Sequence, residues 1–197
     1  MMMFLASISI LLFLGLKDDL LVLSPRKKFF IQILVSLLFV MITDIRITSL
    51  FGLFQIYTLP YLHSVVFSLF VVVLIINAFN MIDGIDGLAA GFGVLATFLL
   101  GVLHYLENQV GLGIIGLSIV GALIAFLRLN LSERRKMFMG DTGSMIVGFC
   151  IAILTINFLK VSVTGNDSMF RESAPVIALS ILFFPLLDTF RVFMLRI

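Results

Sequence analysis

The chain has 197 residues, 61% of them hydrophobic and 12% charged, with a formal net charge of +2. A soluble domain is roughly 45–50% apolar and about 25% charged, so the composition excludes one and points to an integral membrane protein. The apolar runs are continuous where barrel strands would alternate, the basic residues lie in short loops with no patch for nucleic acid, and the single Cys150 excludes an intrachain disulfide.

The chain opens MMMFLASISILLFLGL, which lacks the basic n-region of a signal peptide and reads as a short span, cut at its start. Seven apolar segments run in order: residues 1–16, 29–43, 62–79, 88–106, 111–127, 144–159 and 174–189. Several are shorter than the roughly 20 residues of a perpendicular span. Gly91, Gly93, Gly101, Gly113, Gly116 and Gly121 suit close helix–helix contacts. Phe, Met and Cys150 are read as lipid-facing or packing residues. Residues 44–60 alternate polar and apolar in places, which suggests a short external hairpin or an interfacial segment. His63 and His104 fall at outer span ends and are expected at the interface.

The basic residues orient the chain. Ten of the 13 Lys and Arg, from Lys17 to Arg196, fall in the loops after segments one, three and five or in the C-terminal tail. Only Arg46, Lys160 and Arg171 fall on the other side. The positive-inside rule makes the ten-residue side cytoplasmic. Asp18, Asp19, Asp83, Asp86, Glu133, Asp141 and Asp188 sort to that side, and Asp44, Glu107, Asp167 and Glu172 to the other.

Three stretches on the cytoplasmic side carry chemistry. Residues 15–28 read GLKDDLLVLSPRKK, residues 77–91 NAFNMIDGIDGLAAG, and residues 136–144 KMFMGDTGS. Each admits a plainer reading taken singly. The first could be a positive-inside anchor with incidental acids. The second could be a polar loop between two helices, and the third an N-cap supplied by Asp141 or Thr142. Together they place five carboxylates, Asp18, Asp19, Asp83, Asp86 and Asp141, on one membrane face with few cations. Such a cluster needs raised pKa values or a neutralising cation. Mg²⁺ suits it, taking one or two carboxylates and completing its shell with water and phosphate oxygens. A metal site at the membrane border fits phosphoryl transfer from a soluble nucleotide to a lipid.

LGLKDDL, NAFNMIDGIDGLAAG, FMGDTGS and the terminal PLLDTFRVFMLRI resemble the polyprenyl-phosphate N-acetylhexosamine-1-phosphate transferases (glycosyltransferase family 4). That family includes undecaprenyl-phosphate GlcNAc-1-phosphate transferase and phospho-MurNAc-pentapeptide translocase, and the resemblance covers essentially the whole chain. It implies an all-α polytopic protein of about seven transmembrane helices, a single domain over residues 1–197, with its active site at the cytoplasmic face of the bacterial inner membrane. The implied reaction moves sugar-1-phosphate from a UDP-N-acetylhexosamine to undecaprenyl phosphate, releases UMP and requires Mg²⁺, with Mn²⁺ as a substitute. A second copy of the chain is a candidate partner alongside the bilayer; nucleic acid is not.

By resemblance, Asn80 and Asp141 contact the metal. Asp18 and Asp19 lie by the phosphates, with Asp18 a candidate base for the lipid phosphate. Asp83 and Asp86 order the nucleotide or metal shell. Lys28 contacts phosphate, Phe138 stacks on uracil, and Asn77 belongs with the substrate-binding residues. The wording of 77–91 is closer to the GlcNAc-1-phosphate enzymes than to the pentapeptide enzymes, where NLTDGLDG is commoner. The family's helices before the Asp pair and its His-rich loop after the terminal Arg-Ile have no counterpart here. A member cut at both ends, with little or no activity of its own, is therefore expected. A cation transporter would put acids near mid-span, and a CDP-alcohol phosphotransferase would need an Arg and further spaced acids after the DG; neither pattern is present.

Overall fold

The computed structural model describes residues 2–21, 23–165 and 168–195. Within them seven α-helices follow one another: α1 (Met2–Leu21), α2 (Pro25–Thr43), α3 (Tyr61–Ile82), α4 (Leu88–Leu106), α5 (Val110–Asn130), α6 (Gly140–Thr164) and α7 (Ala174–Leu195). The chain is a polytopic membrane protein of the all-α class, as expected. Helices α3 to α7 are long and apolar enough to cross a membrane. Helices α1 and α2 each carry three charged residues at their facing ends, at 17–19 and 26–28. Arg196 and Asp167, counted in the charge asymmetry, lie outside the described residues.

The helices outrun the apolar segments at the motif end. Backbone groups at the membrane border must still be bonded, so helical structure continues through polar residues that can face inward. Helix α1 therefore carries Asp18 and Asp19 in its final turn. Helix α3 carries Asn77 and Asn80, and α6 begins early enough to hold Asp141 in its first turn. Pro25 opens α2, where its missing N–H costs nothing, and that places Lys28 in the same helix's opening turn.

Helix α6 is the axis of the bundle. It packs on α1, α3, α4, α5 and α7, and its side chains from Val147 to Phe158 are buried without interruption. Near its middle Phe149 meets Phe39 and Phe4 with ring centroids 5.4 and 6.1 Å away. Helices α4 and α5 form a close hairpin: a Cβ on Gly116 would lie 2.8 Å from Gly101 Cα and 2.9 Å from the Thr97 carbonyl. Two of the six glycines expected at such contacts, Gly91 and Gly121, instead face open space.

Two sequence expectations change. His104 is not interfacial: it is 1% exposed, with Nδ1 bonded to the Leu100 carbonyl (2.8 Å) and Nε2 facing Asn157 of α6 (3.3 Å). The two polar side chains satisfy each other across α4 and α6, which is what makes their burial tolerable. His63 is exposed. Residues 44–60 contain no strand among the described residues and form a folded loop with a short 3₁₀ turn, Leu53–Gln55. Leu59 N–H donates to the Thr48 carbonyl (2.8 Å), and Ile47 N–H donates to Ser68 Oγ of α3 (2.7 Å). Of the two alternatives, the hairpin is not found among the described residues.

Candidate functional site

The ends of α1, α3 and α6 and the start of α2 meet at one end of the bundle. Asp18 and Asp19 are neighbours in sequence, but a helix turns about 100° per residue, so they address different partners. Asp18 is buried. Its Oδ2 lies 3.0 Å from Lys28 Nζ, and its Oδ1 accepts the Leu23 N–H at 2.7 Å. Lys28 Nζ also pairs with Asp141, so one ammonium joins α1, α2 and α6. Asn80 Nδ2 donates to Asp141 Oδ1 (2.5 Å) and Ser144 Oγ (2.7 Å), which leaves Asn80 Oδ1 as its candidate hard ligand.

Asp19 turns to α6. Its Oδ1 accepts the Asp141 N–H (2.8 Å), and its Oδ2 accepts the Thr142 N–H (3.2 Å) and the Thr142 hydroxyl (2.6 Å). The N-cap reading of Asp141 and Thr142 is thereby corrected. Met139 occupies the cap position, with Asp141 already inside the first turn, and the amides at that end are satisfied from α1.

Asp83, in the α3–α4 loop, is half-buried beside this group. Burial pushes its carboxyl up to about 6, the charges of Asp141 and Asp19 add to the rise, and a backbone hydrogen bond from Gly140 opposes it. Of the four carboxylates gathered here, Asp18 and Asp141 share the Lys28 ammonium, while Asp19 and Asp83 have no cation partner among the ion pairs of the described residues. No trio of His, Cys, Asp or Glu side chains converges to hold a metal by itself among the described residues. The surplus of hard oxygen donors fits a cation completed by substrate phosphate and water, with Asp141, Asp83 and Asn80 as the available protein ligands.

Of the remaining expected residues, Asn77 stands one step back. Its Nδ2 donates to Gln32 Oε1 (2.8 Å) and to the Val73 carbonyl (2.7 Å). Asp86 and Phe138 form an exposed lip: Lys136 Nζ donates to Asp86 Oδ2 at 2.5 Å and lies 5.2 Å from the Phe138 ring centroid. Three residues were missed by the sequence reading. Ser144 shares Asn80 with Asp141. Gln32 is buried and its Nε2 reaches Met145 Sδ at 3.3 Å; a lone amide one helical turn after Lys28 was the available signal. Asn130 bridges two loops, accepting the Gly87 N–H (2.6 Å) and donating to the Met137 carbonyl (2.8 Å). Nothing in its sequence neighbourhood marks it.

The profile of "Glycosyl transferase family 4" matches residues 1–159. The chain is 34% identical over 192 residues to the undecaprenyl-phosphate alpha-N-acetylglucosaminyl 1-phosphate transferase of Yersinia pestis, covering 94% of this chain and 50% of that protein. The protein of the same description from Escherichia coli (strain K12) is 31% identical over the same shares. The phospho-N-acetylmuramoyl-pentapeptide-transferase of Listeria monocytogenes serotype 4b is 33% identical over 142 residues, 68% of this chain and 42% of that protein. The chain spans about half the length of the curated relatives it matches.

Proposed function

The chain belongs to glycosyl transferase family 4, and from that premise we propose that the protein moves N-acetylhexosamine-1-phosphate, with GlcNAc-1-phosphate the preferred group, from a UDP-sugar to undecaprenyl phosphate. The observation that carries this reading is the knot of Asp18, Lys28, Asn80 and Asp141, drawn from four helices at the basic end of a membrane bundle. The relatives of Yersinia pestis and Escherichia coli are undecaprenyl-phosphate N-acetylglucosaminyl 1-phosphate transferases by description, which favours a donor without a peptide.

The reaction forms a bond from a lipid-phosphate oxygen to the sugar-bearing phosphorus of the UDP-sugar and breaks that phosphorus's bond to the bridging oxygen. UMP departs with the electron pair. Lys28 offers its ammonium to the incoming phosphate. Asp18, held by Lys28, is placed to accept the residual proton of the lipid phosphate. Phe138 on the exposed lip presents a face to the uracil, and Asn77 and Asp86 bound the nucleotide. Mg²⁺, held by Asp141 with Asp83 and Asn80, would neutralise the charge that builds on the leaving UMP.

The test uses the full-length protein in detergent with UDP-GlcNAc, undecaprenyl phosphate and Mg²⁺. UMP release that stops on adding chelator is expected. Asp141→Asn should lower turnover at least about 100-fold, the scale on which removing a transition-state charge partner acts, while the protein keeps its helicity. A folded protein that releases no UMP from UDP-GlcNAc or any other UDP-N-acetylhexosamine would overturn the reading.

A further inference from the structure

Lys28, Asn80 and Asp141 join α2, α3 and α6. One turn deeper in the bundle the same three helices meet again, through Gln32, Asn77 and Met145. Residues three or four apart share a helix face, so the second group lies beneath the first. Gln32 and Met145 are buried, and neither takes part in the proposed reaction.

The orientation of both amides follows from one atom. The Val73 carbonyl can only accept. The Asn77 side chain meets it at 2.7 Å and must do so with its NH₂. That NH₂ also faces Gln32 at 2.8 Å, so Gln32 presents its oxygen. The Gln32 NH₂ is left to the Met145 sulfur, 3.3 Å away, which is a weak acceptor. Both hydrogens of the Asn77 amide are thereby committed, and its Oδ1 has no hydrogen bond among the described residues. Val73 alone would leave one N–H of this half-buried side chain free to turn outward.

We infer that Gln32 is a positioning residue: by taking the second N–H of Asn77 it turns the Asn77 oxygen toward the substrate, as an acceptor for a hydroxyl or N–H group. This deepens the proposed function and rests on it for the kinetic arm of the test. A residue that acts through Asn77 has no effect of its own once Asn77 is gone. A residue that only fills space between α2, α3 and α6 keeps its effect.

Gln32→Met, Met145→Leu, Asn77→Ala and the combination of Gln32→Met with Asn77→Ala are compared in the full-length protein in detergent. Met is close to Gln in size and adapts to cores, so it removes the acceptor with little change of packing. The first readout is the side-chain NH₂ resonances of Asn77, labelled with ¹⁵N-asparagine and assigned by their loss in Asn77→Ala. Gln32→Met should displace them, and Met145→Leu should leave them in place. The second readout is UMP release. Gln32→Met should raise about tenfold the same KM, for the lipid phosphate or for the UDP-sugar, that Asn77→Ala raises, which is the scale of one hydrogen bond. Its kcat should stay within about threefold of wild type, as for lost ground-state binding. The double variant should be no worse than Asn77→Ala, because residues acting as one unit are not additive. Met145→Leu is a volume-conserving change beside the same buried amide and should hold both KM values within about twofold. Equal kinetic loss in Gln32→Met and Met145→Leu, or effects of Gln32→Met and Asn77→Ala that multiply, would make Gln32 a packing residue. The inference then falls while the transferase reading stands. Failure of both Gln32→Met and Gln32→Leu to fold would overturn it in the same way. If wild type releases no UMP, the transferase reading falls, and the Asn77 resonances alone decide: displacement in Gln32→Met with Met145→Leu unmoved supports the inference, and any other pattern removes it.

Discussion

At the scale of single residues, Asp83 and Asp86 show what a motif conceals. They lie three positions apart in one DG-rich loop, and the sequence presents them as equivalent acids. In the fold Asp83 is pressed against the Asp141 and Asp19 charges, while Asp86 pairs with Lys136 in the open. Asp83 therefore carries a pH signature. Its folded pKa of about 6 is above the ordinary 3.8, so between those values the folded state binds more protons than the unfolded state. Stability must fall as pH rises from about 4 to about 6 and level off above that. In chelator, Asp83→Asn should remove this component. Its melting midpoint should exceed that of wild type at pH 7.5, and the gap should close by pH 4. Each kcal/mol of difference corresponds to about 2–4 °C for a chain of this size. A gap that is the same at both pH values would show that Asp83 is not held in a strained, ionised state. The pairing of such groups was invisible beforehand because it depends on which helices touch, and periodicity does not report that.

At the scale of elements, the seven helices were legible because a long, continuous apolar run in a chain this poor in charge has little else to become, and their order came through unchanged, with five of them long and apolar enough to cross a membrane. Their inequality was not legible. In a bilayer, a lipid-facing helix and a buried one are both apolar, so nothing in residues 144–159 announced that α6 is enclosed while α5 and α7 are largely bare. The glycines were a partial guide. Gly116 sits against Gly101 and the Thr97 carbonyl, whereas Gly121, one and a half turns on, meets nothing within 4 Å. The contrast gives a test of the α4–α5 hairpin. Gly116→Leu should lower the detergent melting midpoint by several degrees or prevent assembly, since overpacking costs about 1–3 kcal/mol even where side chains can yield and here the obstacle is backbone. Gly121→Leu should be close to neutral. Equal behaviour of the two would mean that α4 and α5 do not pack on the Gly116 face.

At the scale of the whole molecule, the site exists because the loops after α1, α3 and α5 come to the same end. The contacts of Asp18 with Lys28, and of Asp19, Lys28 and Asn80 with Asp141, show the convergence, and successive helices that reverse direction would bring the DD, DG and GDTG motifs to one face. The side of the membrane on which they meet follows from the basic residues, which concentrate at that same end. These two facts are coupled. The nucleotide donor of the proposed reaction is made in the cytoplasm, and a site facing outward would leave that reaction without its substrate. Single cysteines test the coupling directly, because Cys150 is 2% exposed and buried in α6 and should stay silent to a bulky impermeant thiol reagent. Glu133→Cys, in the exposed α5–α6 loop, should resist labelling in intact bacteria and react after the membrane is opened. Phe54→Cys, in the exposed loop at the opposite end (Phe54 is 83% exposed), should label in intact cells. Labelling of Glu133→Cys from outside would invert the bundle. The carboxylate cluster would then face a compartment without nucleotide sugars, and the proposed reaction would have to be abandoned even though every distance within the site stayed as it is.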